Sequence, residues 1–296
     1  MVPLTFLYEF TGTPDEHIPY VLREFADAGA KNLVLSDYFI SRIFQKYAFA
    51  DTLMKYMSDA GLKFVDAHAM FGARLDMNAP DPADRRIMVQ RNLMTLEILA
   101  MMKVDTITIH VGNNHWMEEK YRSLEQNVER IGDALSQILP AAEKLGITVC
   151  IENIWFPTST PEVLLGIKEK FPTDALGFCY DAGHANLCAK GHLHPDGGCY
   201  GKAWNMIYGT QPVPDDKICE KMLPHIVNCH LHDNDGNGDQ HFGPGCGNVD
   251  WPHIAGLLRK APRLKNIQSE VIVPNRAEIS IRNLCESFRN LFPECF

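Results

Sequence analysis

Short apolar segments alternate with longer segments of helical periodicity along the chain, and this alternation occurs eight times. The short segments are rich in β-branched and aromatic residues, which is typical of buried strands. The predicted strands are Leu4–Phe10, Asn32–Asp37, Lys63–His68, Asp105–Val111, Thr148–Asn153, Leu176–Asp181, Ile226–Asp233 and Asn266–Val273.

Helical patterns lie between the strands and follow the last one. Glycines placed for left-handed C-caps follow three of them, at Gly29, Gly61 and Gly146. Asp81-Pro82 and Thr160-Pro161 each combine an N-cap residue with proline at the first helical position. The predicted helices are Asp15–Ala30, Asp51–Ala60, Pro82–Met102, Tyr121–Leu145, Pro161–Phe171, Asp215–His225, Val249–Leu258 and Arg276–Phe292.

Eight strand–helix units without an antiparallel hairpin signal predict an α/β fold, the (β/α)8 TIM barrel. A doubly wound open sheet is the alternative. Barrels of 296 residues are common, so we expect residues 1–296 to form a single domain. The glycine-rich segment 186–214 has no clear periodicity and is predicted to be a long loop insertion, either a lid or a subunit contact.

Composition narrows the class of protein. The formal net charge of −9 argues against a general nucleic-acid surface, which should be basic. Nine cysteines without a C-x-x-C pair disfavour a disulfide framework or a thiolate zinc site, and fit a reducing compartment. No apolar run approaches the ~20 residues of a membrane helix, and Glu9 comes too early for a secretory signal. We therefore expect a cytoplasmic protein with no membrane partner, and the sequence leaves a homo-oligomer open.

The richest group of metal-binding residue types follows the seventh strand. His230 and His232 are two residues apart on a strand and therefore point to one face. An acidic loop then leads to Asp239 and His241. So many imidazoles and carboxylates are costly to bury unless a cation lies among them.

The third to eighth strands each end in an ionisable residue flanked by apolar ones. In a TIM barrel these strand ends meet at one face, where catalytic groups lie. A single histidine there is more often hydrogen-bonded than metal-binding, and Asp181 with His184 could equally be a strand end and a helix cap. A buried glutamate, by contrast, needs a partner or a metal. The residues are His68, His110, Glu152, Asp181 with His184, His230 with His232, and Glu270.

Carboxylate and imidazole ligands without a thiolate suit Mn²⁺, Mg²⁺, Co²⁺ or Zn²⁺. Four candidate ligands, Glu152, Asp181, His230 and Glu270, come from neighbouring strands of the predicted barrel. A metal with open coordination positions would polarise the carbonyl of a hydroxy-carbonyl substrate and stabilise an enediolate. If the two glutamates lie on opposite faces of the substrate, one removes a proton and the other returns it. That mechanism would serve epimerisation or aldose–ketose isomerisation.

The chain resembles the xylose-isomerase-like barrels, a superfamily of sugar and sugar-phosphate isomerases and epimerases that includes endonuclease IV. The resemblance covers nearly the whole chain and rests on Ile151–Asn153, Gly177–His184, His230–Asp233, Pro244–Trp251 and Glu270.

The tagatose/psicose 3-epimerase branch implies a metal held by Glu152, Asp181, His230 and Glu270. The two glutamates would be the acid/base pair, and His184 would contact substrate. His232 could replace His230 as a ligand. The arginine that commonly binds substrate after strand seven in those epimerases is missing from residues 234–248, so His241 could take its place.

The resemblance to endonuclease IV implies a multinuclear zinc site instead of a single metal ion. The scarcity of lysine and arginine on the expected active-face loops opposes duplex DNA as a substrate and favours an unphosphorylated sugar or polyol. The positions that match its ligand pattern are His68, His110, Glu152, Asp181, His184, His230, Asp239, His241 and Glu270.

Together the residues and the resemblance predict a divalent-metal-dependent sugar or sugar-phosphate isomerase or epimerase. The alternatives are an endonuclease IV-like zinc phosphodiesterase, a lyase of the keto-inositol dehydratase type, and a sugar-binding barrel without activity. In the favoured interpretation, five histidines position substrate or hold a second ion, namely His68, His110, His184, His232 and His241.

Overall fold

The computed structural model describes residues 2–72, 74–112, 123–192, 201, 204–205, 212–272 and 279–295. Eight parallel strands pair in chain order, and the first also pairs with the eighth, which closes a barrel. This closure confirms the TIM-barrel prediction and excludes the open doubly wound sheet. The strands are β1 (Leu4–Phe6), β2 (Asn32–Leu35), β3 (Lys63–His68), β4 (Thr106–Ile109), β5 (Thr148–Glu152), β6 (Leu176–Asp181), β7 (Ile226–Leu231) and β8 (Ile267–Ser269).

Helices surround the barrel and connect consecutive strands. Across the described ranges, no helix is both long enough and apolar enough to cross a membrane. The described α-helices are α1 (Ile18–Asp27), α2 (Asp37–Gln45), α3 (Phe49–Ala60), α4 (Pro82–Met102), α5 (Leu124–Leu145), α6 (Pro161–Lys170), α7 (Ala182–Leu187), α8 (Ile218–Met222), α9 (Trp251–Leu258) and α10 (Ile281–Leu291).

Helix ends follow the predicted capping chemistry. Gly61 and Gly146 are left-handed C-caps, with φ of 71° and 70°. Gly29 lies one residue beyond the C-cap of α1 and has a φ of 89°. The side chains of Asp81 and Thr160 cap α4 and α6 by accepting backbone N–H groups of the first turn.

Two helices were not predicted. The sequence interpretation assigned Asp37 to a strand, whereas it begins α2, which Ser36 caps by accepting from the backbone N of Phe39 at 3.5 Å. Helix α7 begins directly after β6, where Asp181 Oδ1 accepts from the backbone N of His184 at 2.6 Å.

The predicted insertion 186–214 starts inside α7. Residues 193–200, 202–203 and 206–211 of that insertion lie outside the described residues.

The barrel interior beneath the strand ends is polar. Asp66 on β3 is fully buried and accepts hydrogen bonds from Thr106 Oγ1 and Asn228 Nδ2, each at 2.6 Å. Asn228 also donates to Thr108 Oγ1 at 3.1 Å. Burial raises the pKa of Asp66 to about 6. His230 follows Asn228 by two residues on β7, so its imidazole lies in the same interior one layer higher.

Candidate metal centre

A cavity of about 330 Å³ opens at the C-terminal ends of the strands. Asp181, His230 and His232 are buried next to the residues that line it. The structure therefore brings every predicted site residue to one place. The predicted residues that line the cavity directly are His68, His110, Glu152, His184, Asp239, His241 and Glu270.

Four predicted ligands form one compact group. Glu152, Asp181, His230 and Glu270 each offer a ligand atom, and these atoms lie within 4.8 Å of one another. His230 Nδ1 lies 3.4 Å from Glu152 Oε1 and 3.3 Å from Glu270 Oε2. Burial by itself would raise the pKa of both glutamates, but the neighbouring His230 helps to hold both pKa values well below the usual range.

Several polar atoms of this group have no hydrogen-bond partner in the described part of the chain. Both oxygens of Glu152, Oδ2 of Asp181 and both ring nitrogens of His230 are buried there without a hydrogen bond. Carboxylates in an interior of this kind are costly unless a cation lies among them. Because the donors are oxygen and nitrogen with no thiolate, the group fits a divalent metal ion.

A second group lies beside the first. Ligand atoms of His184, His232, Asp239 and His241 also lie within 4.8 Å of one another. Asp239 is central, because its Oδ1 is 3.6 Å from His184 Nε2 and its Oδ2 is 3.2 Å from His241 Nε2. The rings of His232 and His241 stack with their centroids 3.8 Å apart. Nδ1 of His184 lies 3.2 Å from Glu152 Oε1, so the two groups adjoin.

A third group overlaps the first on the opposite side. It consists of His68, Glu152 and His230, with His110 Nε2 at 3.2 Å from Glu152 Oε2. The rings of His68 and His110 lie 5.1 Å apart at their centroids. Glu152 thus belongs to the first and third groups and contacts the second group through His184. A carboxylate in this position can bridge two ions.

Burial lowers the pKa of an imidazole, but nearby acidic groups outweigh burial at His110, His184, His230 and His241. The pKa values of His184 and His230 are raised well above the usual value. The pKa of His241 is raised to about 9, because its hydrogen bond to Asp239 outweighs burial. At His68 burial dominates and lowers the pKa to about 4.

Asp233 fixes the loop that carries Asp239 and His241, two members of the second group. Its Oδ1 accepts from the backbone N of Asn234 at 3.0 Å and of Val249 at 3.1 Å. Its Oδ2 accepts from the backbone N of Gly245 at 2.8 Å and from Trp251 Nε1 at 2.9 Å. This carboxylate therefore ties both ends of the loop between β7 and α9 with four hydrogen bonds.

The loop also holds His241 in an unusual backbone conformation. Its φ is +50°, in the left-handed region that side chains other than glycine avoid. The Nδ1–H of His241 donates to the carbonyl O of Glu270 at 2.7 Å, which orients Nε2 toward Asp239. Strain of this kind is typical of functional sites.

The cavity wall contains residues that the sequence interpretation missed. Glu9 and Asp37 line it after β1 and β2, and burial raises the pKa of Asp37. The search for ionisable residues at strand ends covered the third to eighth strands only. The same search at the first two strands would have found both residues. Trp155 meets His184 edge to face at 4.9 Å, and the Phe71 ring lies 4.8 Å from that of His110. The described lining residues include no lysine or arginine.

We expect Asp233→Asn to loosen the loop between β7 and α9. An amide can accept at one end only, so two of the four donors lose their acceptor. The expected cost is about 2 kcal/mol in the free energy of unfolding, with weaker binding of a divalent ion. Urea denaturation and competitive metal titration would measure both. The exposed Asp235→Asn, in the same loop, should leave both unchanged, and equal effects in the two variants would contradict the role of Asp233.

Metal binding should release protons at pH 7. The raised pKa values of His184, His230 and His241 mean that these imidazoles are protonated in the metal-free protein, whereas a ligand must be neutral. The apparent affinity of the four-ligand group should therefore rise with pH across neutrality, because His230 must lose its proton before it can bind an ion. Calorimetric titration in two buffers of different ionisation enthalpy counts the protons. Identical heats in both buffers would refute this expectation.

Comparison with known proteins places the chain in a family. A D-tagatose 3-epimerase-like protein matches with a TM-score of 0.73 and 17% identity over 100% of this chain and 98% of that one. The IolI protein with a bound zinc atom matches with a TM-score of 0.71 and 13% identity, over 100% and 99%. At such identities the likeness shows the fold alone. An uncharacterized protein of Methanocaldococcus jannaschii is 24% identical over 223 residues, which are 69% of this chain and 67% of that protein. The family described as xylose isomerase-like TIM barrel matches residues 23–279, and the chain belongs to this family.

Proposed function

We propose that this chain is a divalent-metal-dependent isomerase or epimerase of a neutral sugar or polyol. The observation that carries the proposal is the pair of glutamates at one cavity. Glu152 and Glu270 are 1% and 6% exposed, both lie within 3.4 Å of His230 Nδ1, and both line the same space. The fold shared with a D-tagatose 3-epimerase-like protein supports a ketose as the first substrate class to test.

The proposed reaction moves a proton between the substrate and these carboxylates. Glu152, Asp181, His230 and Glu270 would hold the metal, which when bound polarises a substrate carbonyl and so acidifies the adjacent carbon. The pKa values of both glutamates lie below the usual range, so both are ionised at neutral pH. Either can therefore accept a proton from the carbon on its side, and the other can return one to the opposite face.

The remaining cavity wall supports a neutral substrate. Glu9 and Asp37 would repel a phosphate or carboxylate, and the described lining residues include no lysine or arginine that would attract one. Phe71 and Trp155 offer apolar ring surfaces on which the C–H face of a sugar can pack. The histidines of the second and third groups are proposed to position substrate hydroxyls or to hold a further ion.

Glu152→Gln and Glu270→Gln should each lower turnover by about 10²–10⁴-fold, because each removes one proton-transfer group. A panel of ketoses in deuterium oxide would reveal both conversion and exchange at carbon. Each variant is expected to exchange the proton of one epimer only and to convert neither. Circular dichroism and metal content would verify folding and ion binding.

Glu162→Gln is the matched control, because Glu162 is 64% exposed on α6 outside the cavity. It should retain full turnover. Full turnover in either cavity variant would eliminate the two-glutamate mechanism, and so would exchange of both epimers by the same variant.

A second candidate function is a multinuclear zinc phosphodiesterase. The specific observation in its favour is the set of three adjoining ligand groups among the described residues, with Glu152 shared by two of them. Asp239 and three histidines of the second group have no ligand role in a one-metal isomerase. The acidic cavity wall counts against a phosphodiester, since phosphate needs positive partners.

Metal content separates the two candidates. The isomerase proposal expects about one ion per chain, whereas a multinuclear hydrolase needs two or three. Elemental analysis of protein purified without chelators measures this number directly. Asp239→Asn should leave a one-metal enzyme loaded, but should reduce a multinuclear protein by one ion. Hydrolysis of an abasic-site duplex or of bis(p-nitrophenyl) phosphate by the multinuclear form would favour the phosphodiesterase.

A further inference from the structure

Gly183, the second residue of α7, lies directly against the imidazole of His232. A Cβ atom built at position 183 would be 2.0 Å from Cε1 of His232 and 2.5 Å from each ring nitrogen, so any side chain there would have to displace the ring. The backbone does not itself require glycine, because Gly183 is helical and its φ is not positive. Helices favour alanine over glycine, so what glycine provides at this position is space.

The imidazole of His232 has little room to move away from such a side chain. It is fully buried, and it stacks on the ring of His241 with the centroids 3.8 Å apart. His241 is held in turn, because its Nδ1–H donates to the carbonyl O of Glu270 at 2.7 Å. A displaced His232 would therefore disturb His241, a second member of the same ligand group.

Asn234 holds the start of α7 against the end of β7. Its Nδ2 donates to the carbonyl O of Gly183 at 2.8 Å, and its side chain is fully buried. Nδ2 of Asn186, three residues further along α7, donates to Oδ1 of Asn234, also at 2.8 Å. These two hydrogen bonds fix the close approach of Gly183 to His232, which the missing side chain makes possible.

The His232 ring lies beside Asp181, one of the four proposed ligands. Nε2 of His232 is 3.2 Å from Oδ1 of Asp181, and the backbone N–H of His184 donates to the same oxygen at 2.6 Å. Oδ2 of Asp181, by contrast, is buried without a hydrogen bond in the described ranges. The contacts to Oδ1 therefore orient the carboxylate and leave Oδ2 available to an ion. Loss of such a partner of a ligand typically weakens metal binding by about 10–100-fold.

We propose that Gly183 is a positioning residue for the metal centre: its missing side chain admits the ring of His232, which orients Asp181 and joins the first ligand group to the second. Nε2 of His232 is also 3.8 Å from Oδ1 of Asp239, the central residue of the second group. A side chain at position 183 should therefore separate the two groups without removing any ligand. The effect on metal binding rests on the ligand set proposed above, whereas the contact between Gly183 and His232 does not.

Thermal unfolding of the metal-free full chain tests the contact. Gly183→Ala should lower the melting temperature by about 5 °C, because an added methyl group strains a filled space. His232→Ala removes the ring, so adding Gly183→Ala to that variant should lower the melting temperature no further. Gly166→Ala on α6 is the matched control and should cause no loss, since no atom lies within 4 Å of a Cβ built there.

Equal losses with and without the His232 ring would overturn the contact. If Gly183→Ala alone does not fold, the double variant decides the question. Recovery of the fold in the double variant would support the contact, and failure to recover would refute it.

Histidine NMR spectra of the metal-free chain report the position of the ring itself. The Cε1–H signals of His232 and His241 should shift in Gly183→Ala, whereas the signal of His68, in the third group, should stay in place. His232→Ala assigns the first of these signals by its loss. A substitution that only lowers stability would not produce this local pattern. An unchanged His232 signal in Gly183→Ala would show that the ring has not moved and would contradict the proposal.

Competitive zinc titration tests the consequence for the metal centre. Gly183→Ala and His232→Ala should each weaken zinc binding by about 10–100-fold, and the double variant should bind no more weakly than His232→Ala. Glu152→Gln alters a proposed ligand itself and so separates two possible failures. Weaker binding in Glu152→Gln with unchanged binding in Gly183→Ala would overturn the positioning role alone. Unchanged binding in both variants would overturn the proposed ligand set as well.

Discussion

Negative charge buried at the top of the barrel is the constraint on which the rest of this structure depends. Glu152 and Glu270 are buried among imidazoles and shielded from water, where an uncompensated carboxylate is costly. The surrounding histidines compensate in the metal-free state by carrying protons. A divalent cation compensates better, because it attracts several carboxylates at once. If the site holds such a cation, protons and the metal ion would compete for the same ligands.

The scaffold below and around the site limits how those ligands can move. Asp66 and Asn228 are hydrogen-bonded to each other in the barrel interior, one layer beneath His230. The imidazole therefore packs on polar side chains that are themselves held in place. Asp233 holds the loop on one side, and the strand register holds Asp181 beside His230 on the other. Ligands that strands and a hydrogen-bonded loop hold in position keep their geometry without a bound ion. Less free energy is then needed to order these side chains when an ion binds.

Much of this arrangement could be predicted because strand geometry is simple. Residues at the ends of parallel strands must meet at one face, so His68, Glu152 and Glu270 could be placed together from spacing alone. Helix α2 was missed even though Ser36, the polar residue that ends the apolar run of β2, is a typical N-cap residue and does cap this helix. The division of the ligands into groups depends on side-chain directions that no sequence period specifies.

The left-handed backbone at His241 makes stability and chemistry compete at a single residue. Glycine would adopt this conformation freely, whereas histidine destabilises the fold there by about 1 kcal/mol. Selection for stability alone would therefore favour glycine at this position, and the strained backbone is consistent with the proposed role of the imidazole in the cavity. A stabilisation programme guided only by backbone energies would replace this position early and would dismantle the second ligand group while appearing to improve the protein.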